Sequence, residues 1–87
     1  MSLQDDFDDA TKRVKTLSKS PSNDTLLELY GLFKQATSGD VSGKKPSRLN
    51  MVARAKYEAW ENHQGLDSEQ AKQDYIALVD RLIEADR

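Results

Sequence analysis

The chain reads as an all-α protein, a small four-helix bundle, and three observations carry that reading. Four segments place apolar residues at helical spacing, while no segment alternates apolar and polar residues as a half-buried strand would. β-Branched residues are few. The third observation is size: 87 residues make one domain with a modest core, so four apolar stripes can be buried only against one another. Residues 1–87 are therefore expected to form a single domain, without an enclosed deep pocket.

The first helix follows from Leu3, Phe7, Ala10, Val14 and Leu17, a narrow stripe at steps of three and four. Ser2 is its expected cap, and Asp5, Asp6, Asp8 and Asp9 suit the positive end of the helix dipole. Ser18, Ser20 and Pro21 end it. Ser22 or Asn23 can cap the second helix, which runs to about Thr37, with Gly39 placed to stop it in a left-handed conformation. On this helix Leu26, Leu29, Tyr30, Phe33 and Ala36 share a face, and Glu28 and Gln35 fall opposite and are expected to meet water. At the edge of the face Leu27, Tyr30 and Lys34 form a ridge of apolar, aromatic and cationic groups, with Tyr30 and Lys34 one turn apart. Such a ridge suits an amphipathic anion.

Residues 38–48 hold two glycines, Pro46 and three basic residues without a period, and read as a loop. Its run from Gly39 to Lys45 is no phosphate-binding loop: the glycines stand too close, Ser or Thr does not follow Lys44, and no strand precedes it. The third helix starts near Leu49 or Asn50 and carries Ala53, Tyr57 and Trp60 on one stripe, with Trp60 expected in the core and Lys56 and Val52 flanking. Gly65 closes it. Asp67 and Gln70 have the spacing of a capping box for the fourth helix, where Ala71, Tyr75, Leu78 and Leu82 align and Val79 and Ala85 widen the stripe. Periodicity leaves open whether the second and third helices run parallel or antiparallel, although about ten loop residues are enough to cross the bundle.

Composition narrows the function. Without cysteine, the chain has no disulfide framework, thiol nucleophile or thiolate metal site, and His63 as the sole histidine is poor material for zinc. No metal site or catalytic residue is expected. The formal charge of −2 argues against nucleic acid as a partner. Basic residues nevertheless gather at Lys44, Lys45, Arg48, Arg54 and Lys56, which allows a local anion site. No apolar run is long enough to span a bilayer. The first residues lack the basic and apolar regions of a signal peptide, and Ser2 rather than Gly follows Met1, so the expected compartment is cytoplasmic.

Tyr30-Gly31-Leu32-Phe33-Lys34-Gln35-Ala36-Thr37 with Gly39-Asp40, and Arg54-Ala55-Lys56-Tyr57-Glu58-Ala59-Trp60 followed by Gly65, Ala71 and Tyr75-Ile76, resemble the motifs of the acyl-CoA-binding proteins. The resemblance covers nearly the whole chain. It departs at Tyr57, where the family usually has Trp, and at Arg54, Asn50 and Ser47, where Lys, Asp and Gly are common. It implies an up-down-down-up bundle and a non-catalytic intracellular carrier of long-chain acyl-CoA, the ester being ligand and not cofactor.

The resemblance also implies roles for residues. Tyr30, Lys34 and Lys56 match positions that hold the adenosine 3′-phosphate, and Tyr75 matches an aromatic beside the adenine. Phe33 fills a nucleotide-contact position often taken by Tyr, without a hydroxyl to donate. Lys15 matches a lysine near the nucleotide, and Leu26 and Leu27 match apolar positions beside the acyl chain. From the residues alone, Lys34 and Lys56 equally fit solvated lysines lying along apolar neighbours, and Tyr30 and Tyr75 fit core tyrosines. The competing function is a helical interaction module that holds a partner helix in the same groove, which gives no reason for Tyr30, Lys34 and Lys56 together. Expected partners are the ester and, transiently, acyl-CoA-using enzymes or membranes, with a monomer as the default state.

Overall fold

Ser2 leaves the chain extended and its Oγ accepts the N–H of Asp5 at 3.1 Å, which starts α1 (Leu3–Arg13) with Asp5 and Asp6 in the first turn. The molecule is described here by a computed structural model over residues 2–86. α1 gives way to a single 3₁₀ turn at Val14–Thr16, one residue short of the expected Leu17. Ser22 caps α2 (Asn23–Ser38) by accepting from Thr25 N at 3.2 Å, and Asn50 caps α3 (Met51–Glu61) by accepting from Ala53 N at 3.4 Å. α4 spans Ser68–Asp86. The Gln70 amide donates forward to Asp74 at 2.8 Å, so its side chain is turned along α4.

The cross-contacts give the direction of each helix. Going along α1, Gln4 meets Lys72, Phe7 meets Tyr75, Arg13 meets Asp80 and Ser18 meets Asp86, so α1 and α4 are parallel. Gln35 reaches Leu66 before α4 and Phe33 meets Tyr75, while Glu28 lies across from Arg81, so α2 is antiparallel to α4. Tyr30 faces Lys56 and Lys34 faces Trp60, so α2 and α3 run the same way. The bundle is up-down-down-up.

The core is drawn from three helices: Phe7 and Ala10 of α1, Leu29, Leu32 and Ala36 of α2, and Ala71, Tyr75 and Val79 of α4. Burial of these side chains supplies the main driving force, at roughly 25 cal/mol per Å² of apolar surface. The rings of Phe7, Phe33 and Tyr75 meet with centroids 5.1–6.3 Å apart, joining α1, α2 and α4. Leu78 and Leu82 pack against this core, whereas Ala85 is exposed.

No residue of α3 is fully buried, and among the helices α3 packs on α2 alone. Trp60 is accordingly half-buried instead of a core residue. Tyr57 and Trp60 of the expected stripe turn to the connecting loop, while Ala55 and Ala59 lie close against α2. Three side chains donate to loop carbonyls: Arg54 to Pro46 (3.1 Å), Tyr57 to Gly43 (3.2 Å) and Trp60 to Gly39 (2.8 Å). The loop therefore runs back along α3, as a connection between parallel neighbours must. Gly39 has the expected positive φ of 78°, but its ψ of −150° lies outside the left-handed helix, in a region open essentially to glycine alone.

Candidate functional site

α2 is the middle helix, and the face read from its sequence as apolar is only partly core. Leu29 and Ala36 are buried, while Leu26 is 42% and Phe33 36% exposed, because beside them the bundle is open. Two grooves result, one on each side of the Leu26–Tyr30 ridge. The first, about 590 Å³, lies between the end of α1, α2 and α4, and Lys15, Leu26, Tyr30, Phe33 and Tyr75 stand in its wall with Leu17 and Pro21 beside them. The second, about 490 Å³, lies between α2 and α3 and is walled by Leu26, Leu27, Tyr30, Met51, Val52 and Lys56. Leu26 and Tyr30 belong to both.

Beyond Tyr30 the seam turns polar in an ordered way. α2 offers Tyr30 and Lys34, and α3 offers Lys56 and Trp60, each pair four residues apart and hence on one helix face. The order is reversed across the seam, so the Lys56 ammonium lies over the Tyr30 ring at 5.5 Å and the Lys34 ammonium over the Trp60 ring at 4.8 Å. Among the described residues neither lysine pairs with a carboxylate. Their charge is held on aromatic faces and left available to an incoming anion. The other side of the same seam is acidic, with Asp24, Glu28 and Glu58 around Leu27 and Ala55. An anion is thus admitted on one side only.

Close approach of α2 and α3 depends on Gly31. A Cβ there would overlap the carbonyl oxygen of Ala59 and lie 2.8 Å from its carbon. Nearby, His63 hydrogen-bonds Glu28 and ties the end of α3 to α2, which places His63 in a contact and not merely on the surface. Gln35, expected to face water, is 1% exposed. It donates to Asp40 at 2.9 Å and to the Leu66 carbonyl at 2.8 Å, and its Oε1 is buried without a hydrogen bond among the described residues. Asp40 also accepts the Gly65 N–H at 2.7 Å. That backbone bond, followed by the Gln35 bond, holds the Asp40 carboxyl below its ordinary pKa. One node thereby fixes the loops at the ends of α2 and α3.

All eight residues expected at the site gather here. Lys15, Phe33 and Tyr75 line the first groove, Leu27 and Lys56 the second, Leu26 and Tyr30 both, and Lys34 stands beside them on Trp60. Burial pushes the Tyr75 hydroxyl above its ordinary pKa, so it stays protonated and able to donate. Gly31, Trp60, Met51 and Val52 were not read as site residues. A glycine inside a helical pattern is a signal that could have marked Gly31. Among the described residues no cluster of His, Asp and Glu could hold a metal ion, and no helix is long and apolar enough to cross a membrane.

Comparison with known proteins agrees with this geometry. The family model described as "Acyl CoA binding protein" matches residues 4–79. The acyl-CoA-binding protein of Saccharomyces cerevisiae is 53% identical over 77 residues, 88% of each chain, and that of Brassica napus 45% identical over 86 residues, 99% of this chain and 94% of its own. Among solved structures, Oryza sativa acyl-CoA-binding protein 2 superposes with a TM-score of 0.92 at 41% identity, covering 95% of this chain and 90% of its own. The protein from Moniliophthora perniciosa superposes with a TM-score of 0.88 at 34% identity, covering 98% of this chain and 83% of its own.

Proposed function

Because this chain belongs to the acyl-CoA-binding protein family, we propose that it is a carrier of long-chain fatty acyl-CoA esters that binds them without chemical change. The chain acts as a single binding domain, as a cytosolic monomer, between the enzymes or membranes that supply and take up the ester. The observation that carries this reading is the meeting of an apolar groove with two ammonium groups that, among the described residues, no carboxylate neutralises.

A long-chain ester makes two demands that these surfaces meet in different ways. Each buried methylene contributes about 0.8 kcal/mol, so ten of them against Leu26, Leu27, Met51 and Val52 supply at most about 8 kcal/mol. Phosphate oxygens require charged donors, because a desolvated phosphate without them is costly. Lys34 and Lys56 are those donors, and Tyr30, whose ring lies under the Lys56 ammonium, adds a hydroxyl. Each charge-assisted bond is worth about 1.5–3 kcal/mol. The tail therefore dominates affinity, and the lysines select esters carrying the nucleotide. Phe33 offers an exposed ring to the adenine beside the buried Tyr75, and Lys15 stands in the same groove as a further cation.

The test is calorimetric titration with palmitoyl-CoA, with free CoA and palmitate titrated separately. One tight site for the ester and much weaker binding of either half is the expected result, with the thioester intact afterwards. Lys34→Ala and Lys56→Ala each weaken the ester by about tenfold to a hundredfold. Absence of a saturable site for the ester, or wild-type affinity in both lysine variants, overturns the assignment.

A further inference from the structure

Sulfur is scarce in this chain: it has no cysteine and two methionines, of which Met1 lies outside the described residues. The other, Met51, is set where chemistry at sulfur would be felt. It opens α3 and is 76% exposed, because α3 buries no residue fully and among the helices packs on α2 alone. It also walls the apolar α2–α3 groove with Leu26, Leu27 and Val52. Along α3, Met51 and Ala55 stand one turn apart and line that groove together, as do Val52 and Lys56. Because α2 and α3 run the same way, Met51 lies at the apolar end of the seam, with Lys34 and Trp60 at the polar end. Leucine would wall the groove as well. A solvent-open thioether differs in that its sulfur is a nucleophile towards peroxide.

We propose that Met51 is an oxidation site that takes a hydroperoxide as its substrate, and that the sulfoxide formed there loosens the hold of the groove on a long acyl chain. The sulfur lone pair attacks one peroxide oxygen, and the S–O bond forms as the O–O bond breaks. The departing oxygen takes up the proton that the attacked oxygen gives up. Sulfur is thereby oxidised, and the hydroperoxide is reduced to an alcohol, or to water where it is hydrogen peroxide. The product sets a strongly polar S–O group beside Leu26, Leu27 and Val52, and covering it with an acyl chain strips its water without replacing the hydrogen bonds. This loss of affinity rests on the carrier reading, whereas formation of the sulfoxide does not. Dissolved peroxide and a hydroperoxide on a polyunsaturated acyl chain share the required chemistry, and a chain lying in the groove presents its peroxide to sulfur at high effective concentration.

The test is calorimetric titration of the full chain with palmitoyl-CoA before and after treatment with hydrogen peroxide, with peptide masses locating the added oxygen. Met51→Leu is carried through the same steps. Added oxygen at Met51, an affinity about tenfold lower after treatment, and recovery with methionine sulfoxide reductases for both epimers support the inference, provided that treatment leaves the affinity of Met51→Leu where it was. A second arm replaces hydrogen peroxide with an equal concentration of linoleoyl-CoA hydroperoxide. Faster oxidation of Met51 in that arm supports the carried source, and equal or slower oxidation supports the dissolved one. A Met51 that stays reduced in both arms, a sulfoxide form that binds as tightly as the thioether, or an equal loss in Met51→Leu overturns the inference. Untreated protein without a saturable ester site fails the carrier reading and takes the affinity loss with it, whereas tight binding that oxidation at Met51 leaves unchanged fails this inference alone.

Discussion

Gly31 gives up about 1 kcal/mol of helix propensity in the middle of α2 relative to alanine, and its missing side chain lets α2 and α3 meet at the Ala59 carbonyl. Gly31→Ala recovers that propensity but forces backbone against backbone, which costs about 1–3 kcal/mol and separates the two helices. Net destabilisation in urea unfolding is the expected outcome, together with weaker palmitoyl-CoA binding, because Tyr30 and Lys56 lose their register. A variant as stable as wild type shows that the seam can widen freely. At this scale the sequence was legible in spacing, since Tyr30 and Lys34, one turn apart, do share a face of α2 and meet α3. It was less so for Gln35. Periodicity assumes one partner for a helix, whereas α2 packs against both α3 and α4, and a polar residue on its supposed outer face is buried because Asp40 and the Leu66 carbonyl receive its amide.

Among the elements, the connection between α2 and α3 is the least readable from sequence and the most ordered by side-chain bonds. Its composition announces a loop. The anchoring by Arg54, Tyr57 and Trp60 has no such mark, because the partners are carbonyls of an aperiodic segment. The same stripe therefore suggested a core face for α3 and misplaced Trp60. The Asp40 node gives the loop a pH dependence. Its folded-state pKa is lowered, so the stabilisation is fully present above the unfolded value of about 4 and is lost as pH falls through the lower folded value. The Asp86 carboxyl, lowered mainly by the Ser18 hydroxyl, has the same sign. The urea midpoint of the wild type should fall below about pH 4 more steeply than that of Asp40→Ala. Parallel pH curves for the two proteins assign the acid sensitivity elsewhere.

For the molecule as a whole, α1, α2 and α4 share the core, and α3 is held by α2, the loop and the His63–Glu28 bond. Such an element opens at lower free energy than the rest. Amide exchange should therefore be fastest among the helices in α3, and saturating palmitoyl-CoA should slow it more there than in α1 or α4, because the proposed site spans α2 and α3. Uniform protection across the four helices contradicts this. The fold class and the order of helices were legible because four stripes in a short chain leave few arrangements. The helix directions were not legible from periodicity, since the loop allowed either, but the family resemblance implied them and the packed pairs agree. The crossed lysines lend the molecule one more property. Trp60 is the sole tryptophan, and the Lys34 ammonium rests on its ring. On the proposed function a phosphate draws that ammonium away and changes the electrostatic field on the indole, so tryptophan emission should follow occupancy without an attached dye.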